Sequence, residues 1–173
     1  GRVMVMRYQE GSDSTSRREA GFLETMRERF SAIEIVSDNQ YGGATTETAY
    51  QTAENLLVRF PEVDGVFTPN ESTTFGMLRA LQEGNRTGDV KLVGFDANEG
   101  LVAALRAGQV HGLVLQNPER MGELAVRTAI AHLDGETVEA RIDTGATMVT
   151  RENMQEPAVA ALLSPDLSIL EGE

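Results

Sequence analysis

Short apolar runs alternate along this chain with longer stretches whose apolar residues recur every three or four positions. The first run, Arg2-Val3-Met4-Val5-Met6-Arg7-Tyr8, is too short for a helix and is followed by the turn-prone Gly11-Ser12-Asp13-Ser14. It predicts a strand. From about residue 16 to residue 30, Ala20, Leu23, Met26 and Phe30 fall at helical spacing, with Phe22 beside them and arginines and glutamates on the other face. This predicts an amphipathic helix that buries those apolar positions.

The alternation continues. Strands are predicted over residues 33–36, 63–68, 91–95 and 110–115, and helices over 45–60, 72–82, 99–107 and 118–133. Gly42-Gly43 breaks the chain, Pro61 stops the second helix, and Pro118 suits a first helical turn. Residues 139–142 and 146–149 read as extended, and residues 152–163 as a last helix before a tail to Glu173. Five strand–helix units with nearly continuous apolar strands define an α/β fold, a three-layer α/β/α arrangement around a mostly parallel sheet covered on both faces. In such sheets the ligand sits beyond the carboxyl ends of the strands. The residues that close each strand are therefore the candidate site.

Composition narrows the chemistry. The 173 residues include 40% hydrophobic ones, enough for a core, and carry a net charge of −12. Such a surface repels nucleic acid and anionic membranes. With no cysteine there is no disulfide, thiol nucleophile or zinc–thiolate site. His111 and His132 are the sole histidines, too few for a His-rich metal centre. No apolar run approaches the roughly 18–20 residues of a membrane span, and no signal peptide is seen. The chain opens on Gly1 and enters a strand at once, which leads us to expect residues upstream.

Four strand ends carry polar residues of interest. After the first strand, the Ser/Asp/Thr-rich turn leads into a helix bearing Arg17 and Arg18. It is either an ordinary cap with surface arginines, or it places a rigid donor fork at the crevice. At Thr68-Pro69-Asn70-Glu71, Asn70 either caps the next helix or offers an amide, donor and acceptor, to a ligand hydroxyl. At Val93-Gly94-Phe95-Asp96, Asp96 is either a turn residue or a fixed carboxylate that must be paired or ligand-satisfied. Gln116 stands where the fifth apolar run ends. Together Arg18, Asn70, Asp96 and Gln116 supply one donor fork, two amides and one carboxylate. That is chemistry for holding a neutral polyhydroxylated molecule, and poor chemistry for cutting one.

Catalytic readings are thinner. There is no phosphate-binding GxxxxGK[ST] loop, no GxGxxG and no GxSxG elbow. Glu71 and Asp96 form a conceivable pair of facing carboxylates, but Glu71 more simply opens the helix after Asn70. His111 falls near the start of the fifth strand, away from the crevice, and His132 late in a helix. The scattered methionines read as packing residues. No enzyme activity and no cofactor are expected.

These same strand ends carry a family resemblance. Residues 11–22, Ala53-Glu-Asn-Leu-Leu57, residues 64–71, residues 76–81, Val90-Lys-Leu-Val-Gly-Phe-Asp96, residues 107–118 and Met121-Gly122 together resemble the periplasmic sugar-binding proteins of ABC importers, of the ribose-binding type. The resemblance covers roughly residues 2–150. It implies two similar α/β lobes joined by three crossing segments and closing on sugar. Arg18, Asn70, Asp96 and Gln116 match the family's ligand-contacting arginine, asparagine, aspartate and glutamine. It also implies that residues 1–116 and 144–173 form most of the C-terminal lobe and residues 117–143 a piece of the N-terminal lobe. The implied setting is periplasmic or extracytoplasmic, with a pentose or hexose as ligand and a membrane permease as partner.

The resemblance leaves the first half of the family fold without a counterpart, and with it the aromatic residues that stack on sugar. An aromatic frequent after the second strand also has no clear match. Gly43 or Ala44 falls near its place, and Tyr41 is the nearest ring. In the family, the helix over residues 118–133 would pack its Met121, Leu124, Ala125, Ile130 and Ala131 on the missing lobe, so this chain alone is expected to self-associate and to bind ligand weakly. The competing function is the effector-sensing domain of a LacI-type transcription regulator, which resembles the same fold. Ala97, where the regulators more often carry a second aspartate, and Gln116-Asn117-Pro118 favour the transport protein.

Overall fold

The computed structural model describes residues 1–165. In chain order the elements are β1 (Arg2–Arg7), α1 (Asp13–Arg29), β2 (Glu34–Tyr41), α2 (Thr46–Arg59), β3 (Gly65–Phe67), α3 (Glu71–Glu83), β4 (Lys91–Phe95), α4 (Glu99–Arg106), β5 (Gly112–Leu115), α5 (Pro118–Leu133), β6 (Thr147–Val149) and α6 (Pro157–Leu163). The strands form one sheet in the order β2-β1-β3-β4-β5-β6. The first five are parallel, and β6 adds antiparallel to β5. This is the expected α/β class with a mostly parallel sheet.

The two faces of the sheet differ. Alternation of side chains puts Met4, Val66, Leu92 and Leu113 on one face, in a core cluster with residues of α2, α3 and α4. That layer is tight: a Cβ on Gly76 of α3 would lie 2.6 Å from the Ala49 Cβ of α2, and one on Gly94 would lie 2.2 Å from Thr74 Cγ2. The other face presents Phe67 and Phe95 to α1. Phe22 of α1 stacks on Phe67 with ring centroids 4.7 Å apart. Beyond α1 this face is thinly covered. Val93 and Val114 are half-buried, and Met148, register partner of Val114, is 47% exposed.

Several expectations need correction. The helix α1 leaves Ala20 and Phe30 exposed. Its buried residues are Thr15 and Glu19, with Phe22, Leu23 and Met26 half-buried beside them. The second strand runs to Tyr41, well past the expected residue 36. As an edge strand pairing only with β1 it tolerates Ser37-Asp38-Asn39-Gln40. Residues 139–142 form no strand. The last helix starts at Pro157 rather than near residue 152, because Pro157 pre-sets the first helical φ and residues 151–155 form turns. The expected tail lies, from residue 166, outside the described residues.

The helix α5 stands apart. None of its residues is buried, and Val126, Ile130 and Leu133 are exposed. With residues 138–144 it lines an open groove of about 630 Å³. Among the described residues, no helix is long and apolar enough to cross a membrane, and no cluster of three His, Asp or Glu side chains is arranged to hold a metal ion.

Candidate functional site

Arg18 is the hub of the carboxyl end of the sheet. It lies one position from the buried stripe of α1 and four residues before Phe22, so it leans towards β3 and β4. Its guanidinium sits 3.7 Å over the Phe95 ring. One terminal nitrogen donates to Pro69 O at 2.9 Å and the other to Gln116 Oε1 at 2.9 Å. The nitrogen bonded to Pro69 also lies 3.9 Å from Asp96 Oδ2, an ion pair too long for a hydrogen bond. Burial pushes Arg18 below the ordinary arginine range, and the Asp96 charge partly restores it.

The backbone at Asp96 is fixed by its neighbours. Its backbone N–H donates to Val114 O at 2.9 Å. Its φ is +65°, a left-handed conformation that a non-glycine residue adopts at a cost and that recurs at functional sites. The strand below it is fixed by Thr74, whose hydroxyl accepts from Phe95 N at 3.2 Å and pairs with the Thr68 hydroxyl at 2.9 Å. Gly94 is required there because Thr74 leaves no room for a side chain. Burial pushes the Asp96 carboxyl above its ordinary value. Arg18 and the Glu71 backbone N–H oppose that push, and the Glu71 charge adds to it. With 40% of its side chain still exposed, Asp96 keeps acceptor capacity for solvent or a ligand.

The amides take different roles. Gln116 accepts from Arg18 through Oε1, and its amide nitrogen has no protein partner among the described residues. Asn70 occupies the N-cap position of α3, but its side chain makes no cap bond. Instead Asn70 Nδ2 donates to Ser72 Oγ at 3.0 Å and Oδ1 accepts from Thr73 Oγ1 at 2.6 Å. Its place, directly after the Pro69 carbonyl bound by Arg18, puts it on the rim of the cluster. So Arg18, Asp96 and Gln116 meet directly, while Asn70 joins through the backbone.

Other sequence candidates fall elsewhere. Glu71 opens α3, and its carboxylate accepts from Asn98 Nδ2 at 2.7 Å rather than facing Asp96 across a cleft. His111 immediately precedes β5, at the opposite end from Gln116, with Nδ1 buried and without a partner. His132 lies in the last turn of α5. The Tyr41 ring lies 4.8 Å from the Arg7 guanidinium.

Sequence reasoning missed Phe95 as the platform for Arg18 and Thr74 as the clamp on β4. Phe95 reads as one more apolar strand residue and Thr74 as one more hydroxyl on a helix. Only the pairing of a glycine in β4 with a threonine on the helix above it would have signalled the close approach.

The arrangement can do one thing well. Arg18, Asp96 and Gln116 bring together a guanidinium, an acceptor carboxylate and an amide donor, groups that bond well to hydroxyls.

The sequence matches the periplasmic binding protein domain family over residues 1–137, and the chain belongs to that family. The ribose import binding protein of Haemophilus influenzae is 36% identical over 97 residues, 56% of this chain and 32% of the relative. Among solved structures, a carbohydrate transporter solute-binding protein from Agrobacterium radiobacter in complex with D-arabinose aligns with a TM-score of 0.87 and 33% identity, covering 94% of this chain and 55% of the other. The periplasmic component of an ABC-type sugar transport system from Hahella chejuensis aligns at 0.80 and 38%, over 86% of this chain and 53% of its own. The chain thus spans about half the length of these solved relatives and a third of the curated one.

Proposed function

We propose that this chain is the ligand-holding part of a sugar-binding protein of an ABC importer, and that it captures a pentose or hexose without chemical change. The observation that carries the reading is the Arg18 guanidinium, locked on Pro69 O and Gln116 Oε1 while 3.9 Å from Asp96 Oδ2. Hydroxyls of a sugar replace water on Asp96 and on the free amide of Gln116, and Asn70 closes the rim. Each hydroxyl missing or inverted leaves a buried group unpaired, at about 1–3 kcal/mol. The relatives named above carry ribose import or sugar transport in their descriptions, which supports transport over the effector domain of a LacI-type regulator.

On this reading residues 1–116 and 144–165 belong to one lobe, and residues 117–143 reach towards a second lobe. Closure of the lobes on sugar is a population shift, and the closed form is what a membrane permease recognises in the periplasm or an equivalent extracytoplasmic space. The exposed apolar face of α5 supports this division, since it has no cover among the described residues.

The test is a thermal-shift panel of D-ribose, D-arabinose, D-allose, D-fucose and D-tagatose, with amino acids as controls. Binding to the native state raises Tm with ligand concentration. A rise with one or more sugars and none with amino acids supports the proposal. No rise with any sugar up to about a hundred millimolar, well past the weak millimolar range, contradicts it.

A further inference from the structure

A buried carboxylate lies next to the candidate site. Glu19 follows Arg18 on α1, and its side chain is 2% exposed. Its Oε2 accepts from Arg7 Nε at 2.6 Å and its Oε1 from the Tyr8 backbone N–H at 3.2 Å. Both donors stand at the carboxyl end of β1. The same two residues are tied onward to the loop after β2, because Arg7 O accepts from Gly42 N at 2.7 Å and Tyr8 O from Gly43 N at 2.8 Å.

A carboxylate this buried is costly unless fully paired, and on the surface of α1 a neutral or apolar residue would pack against the sheet without that cost. What the pair does is fix α1 against the end of β1 at one defined height and rotation. Arg18 is the adjacent residue, and its fork must reach Pro69 and Gln116, 51 and 98 residues away in sequence, at hydrogen-bond distance. A shift of α1 by about 1 Å takes both contacts out of hydrogen-bond range.

We infer that Glu19, through its bonds to Arg7 and Tyr8, is a positioning residue for Arg18 and thereby sets ligand affinity without touching the ligand. This rests on the sugar-binding reading for its effect on affinity, but not for its effect on Arg18.

The experiment separates the two. ¹H–¹⁵N spectra of the arginine side chains are recorded for the wild-type chain and for E19A and E19Q, with R18K assigning the Arg18 signal. The panel sugar that binds wild type best is then titrated into each. E19A is expected to lose the wild-type Arg18 resonance and to weaken binding about tenfold, the equivalent of one lost charge-assisted hydrogen bond. E19Q, which keeps the shape and one acceptor, is expected to recover part of both. If E19A does not fold, E19Q carries the test by the same two readouts. Folded variants with an unchanged Arg18 signal and affinity within twofold of wild type overturn the inference. If wild type binds no sugar, the sugar reading fails while the Arg18 resonance still decides this one.

Discussion

Arg18 of α1 and Gln116 at the end of β5 are 98 residues apart and joined by a hydrogen bond of 2.9 Å. Beneath the Arg18 guanidinium lies the Phe95 ring, its centre 3.7 Å away. A cation over an aromatic face is worth about 0.5–2 kcal/mol, more when desolvated, and it leaves the edge of the guanidinium free for acceptors. Arg18 is therefore fixed from below by Phe95 and from two sides by Pro69 and Gln116. Asp96 Oδ2, 3.9 Å from one terminal nitrogen, pairs with it by charge and not by a hydrogen bond.

If Asp96 is the proposed sugar acceptor, it trades stability for binding. With φ at +65° it sits where glycine is favoured. D96G is expected to raise stability by about 0.5–1 kcal/mol and to abolish sugar binding, whereas D96A loses binding without that gain. Urea denaturation and calorimetric titration of the two variants check both halves.

Gly94 and Thr74 should behave as a coupled pair. A Cβ at position 94 meets Thr74 Cγ2 at 2.2 Å and Oγ1 at 2.5 Å. G94A is expected to cost about 1–3 kcal/mol, typical of overpacking, and T74S in the same chain should return part of it by removing the methyl group. A double-mutant cycle on urea midpoints reads the coupling. Strict additivity would mean that the two side chains do not compete for the same space.

His111 predicts a pH dependence. Burial, and then the nearby Lys91 charge, hold its imidazole below the ordinary 6.5. A group depressed in the folded state contributes stability that is present above its unfolded pKa and lost as pH falls through its folded value. Wild type should therefore lose Tm relative to H111Q as pH drops from about 7.5 towards 5. Parallel Tm profiles for the two proteins would remove His111 from the account.

Asp96 predicts the opposite sign. Its carboxyl is raised by burial, so its contribution is present below the ordinary carboxylate pKa and lost as pH rises through the raised value. D96N should gain Tm relative to wild type across that rise. Sugar affinity of wild type should fall in the same window on acidification, as the acceptor becomes protonated. Affinity that stays constant through it would show that the carboxylate is not the acceptor used.

The uncovered face of α5 predicts self-association of the 173-residue chain. Val126 and Ile130 are 60% and 54% exposed. Sedimentation should show concentration-dependent mass, and V126E/I130K should reduce both that mass and hydrophobic-dye binding. A monomer at all concentrations with no dye binding would contradict this.

Much of the fold was legible because buried parallel strands must be apolar and the helices between them amphipathic. Edge elements were not. Among the described residues the strand β2 pairs on one side only, so its polar second half gave no apolar signal, and α1 buries Thr15 and Glu19 while its more obvious Ala20 and Phe30 are exposed. In the candidate site, Arg18, Asp96 and Gln116 were legible because strand ends of a parallel sheet converge on one rim. The Arg7–Glu19 pair was not, since a glutamate beside two arginines on a helix reads as a solvated face. Only its 2% exposure and its 2.6 Å contact with Arg7 on β1 reveal the role.

The most direct test is a backbone and side-chain ¹H–¹⁵N titration of the chain with the sugar that gives the largest thermal shift. The account predicts saturable changes at Arg18, Asn70, Asp96 and Gln116, with the Arg18 guanidinium and the Gln116 amide moving together. Changes confined to the groove beside α5, or no changes at saturating sugar, would contradict it.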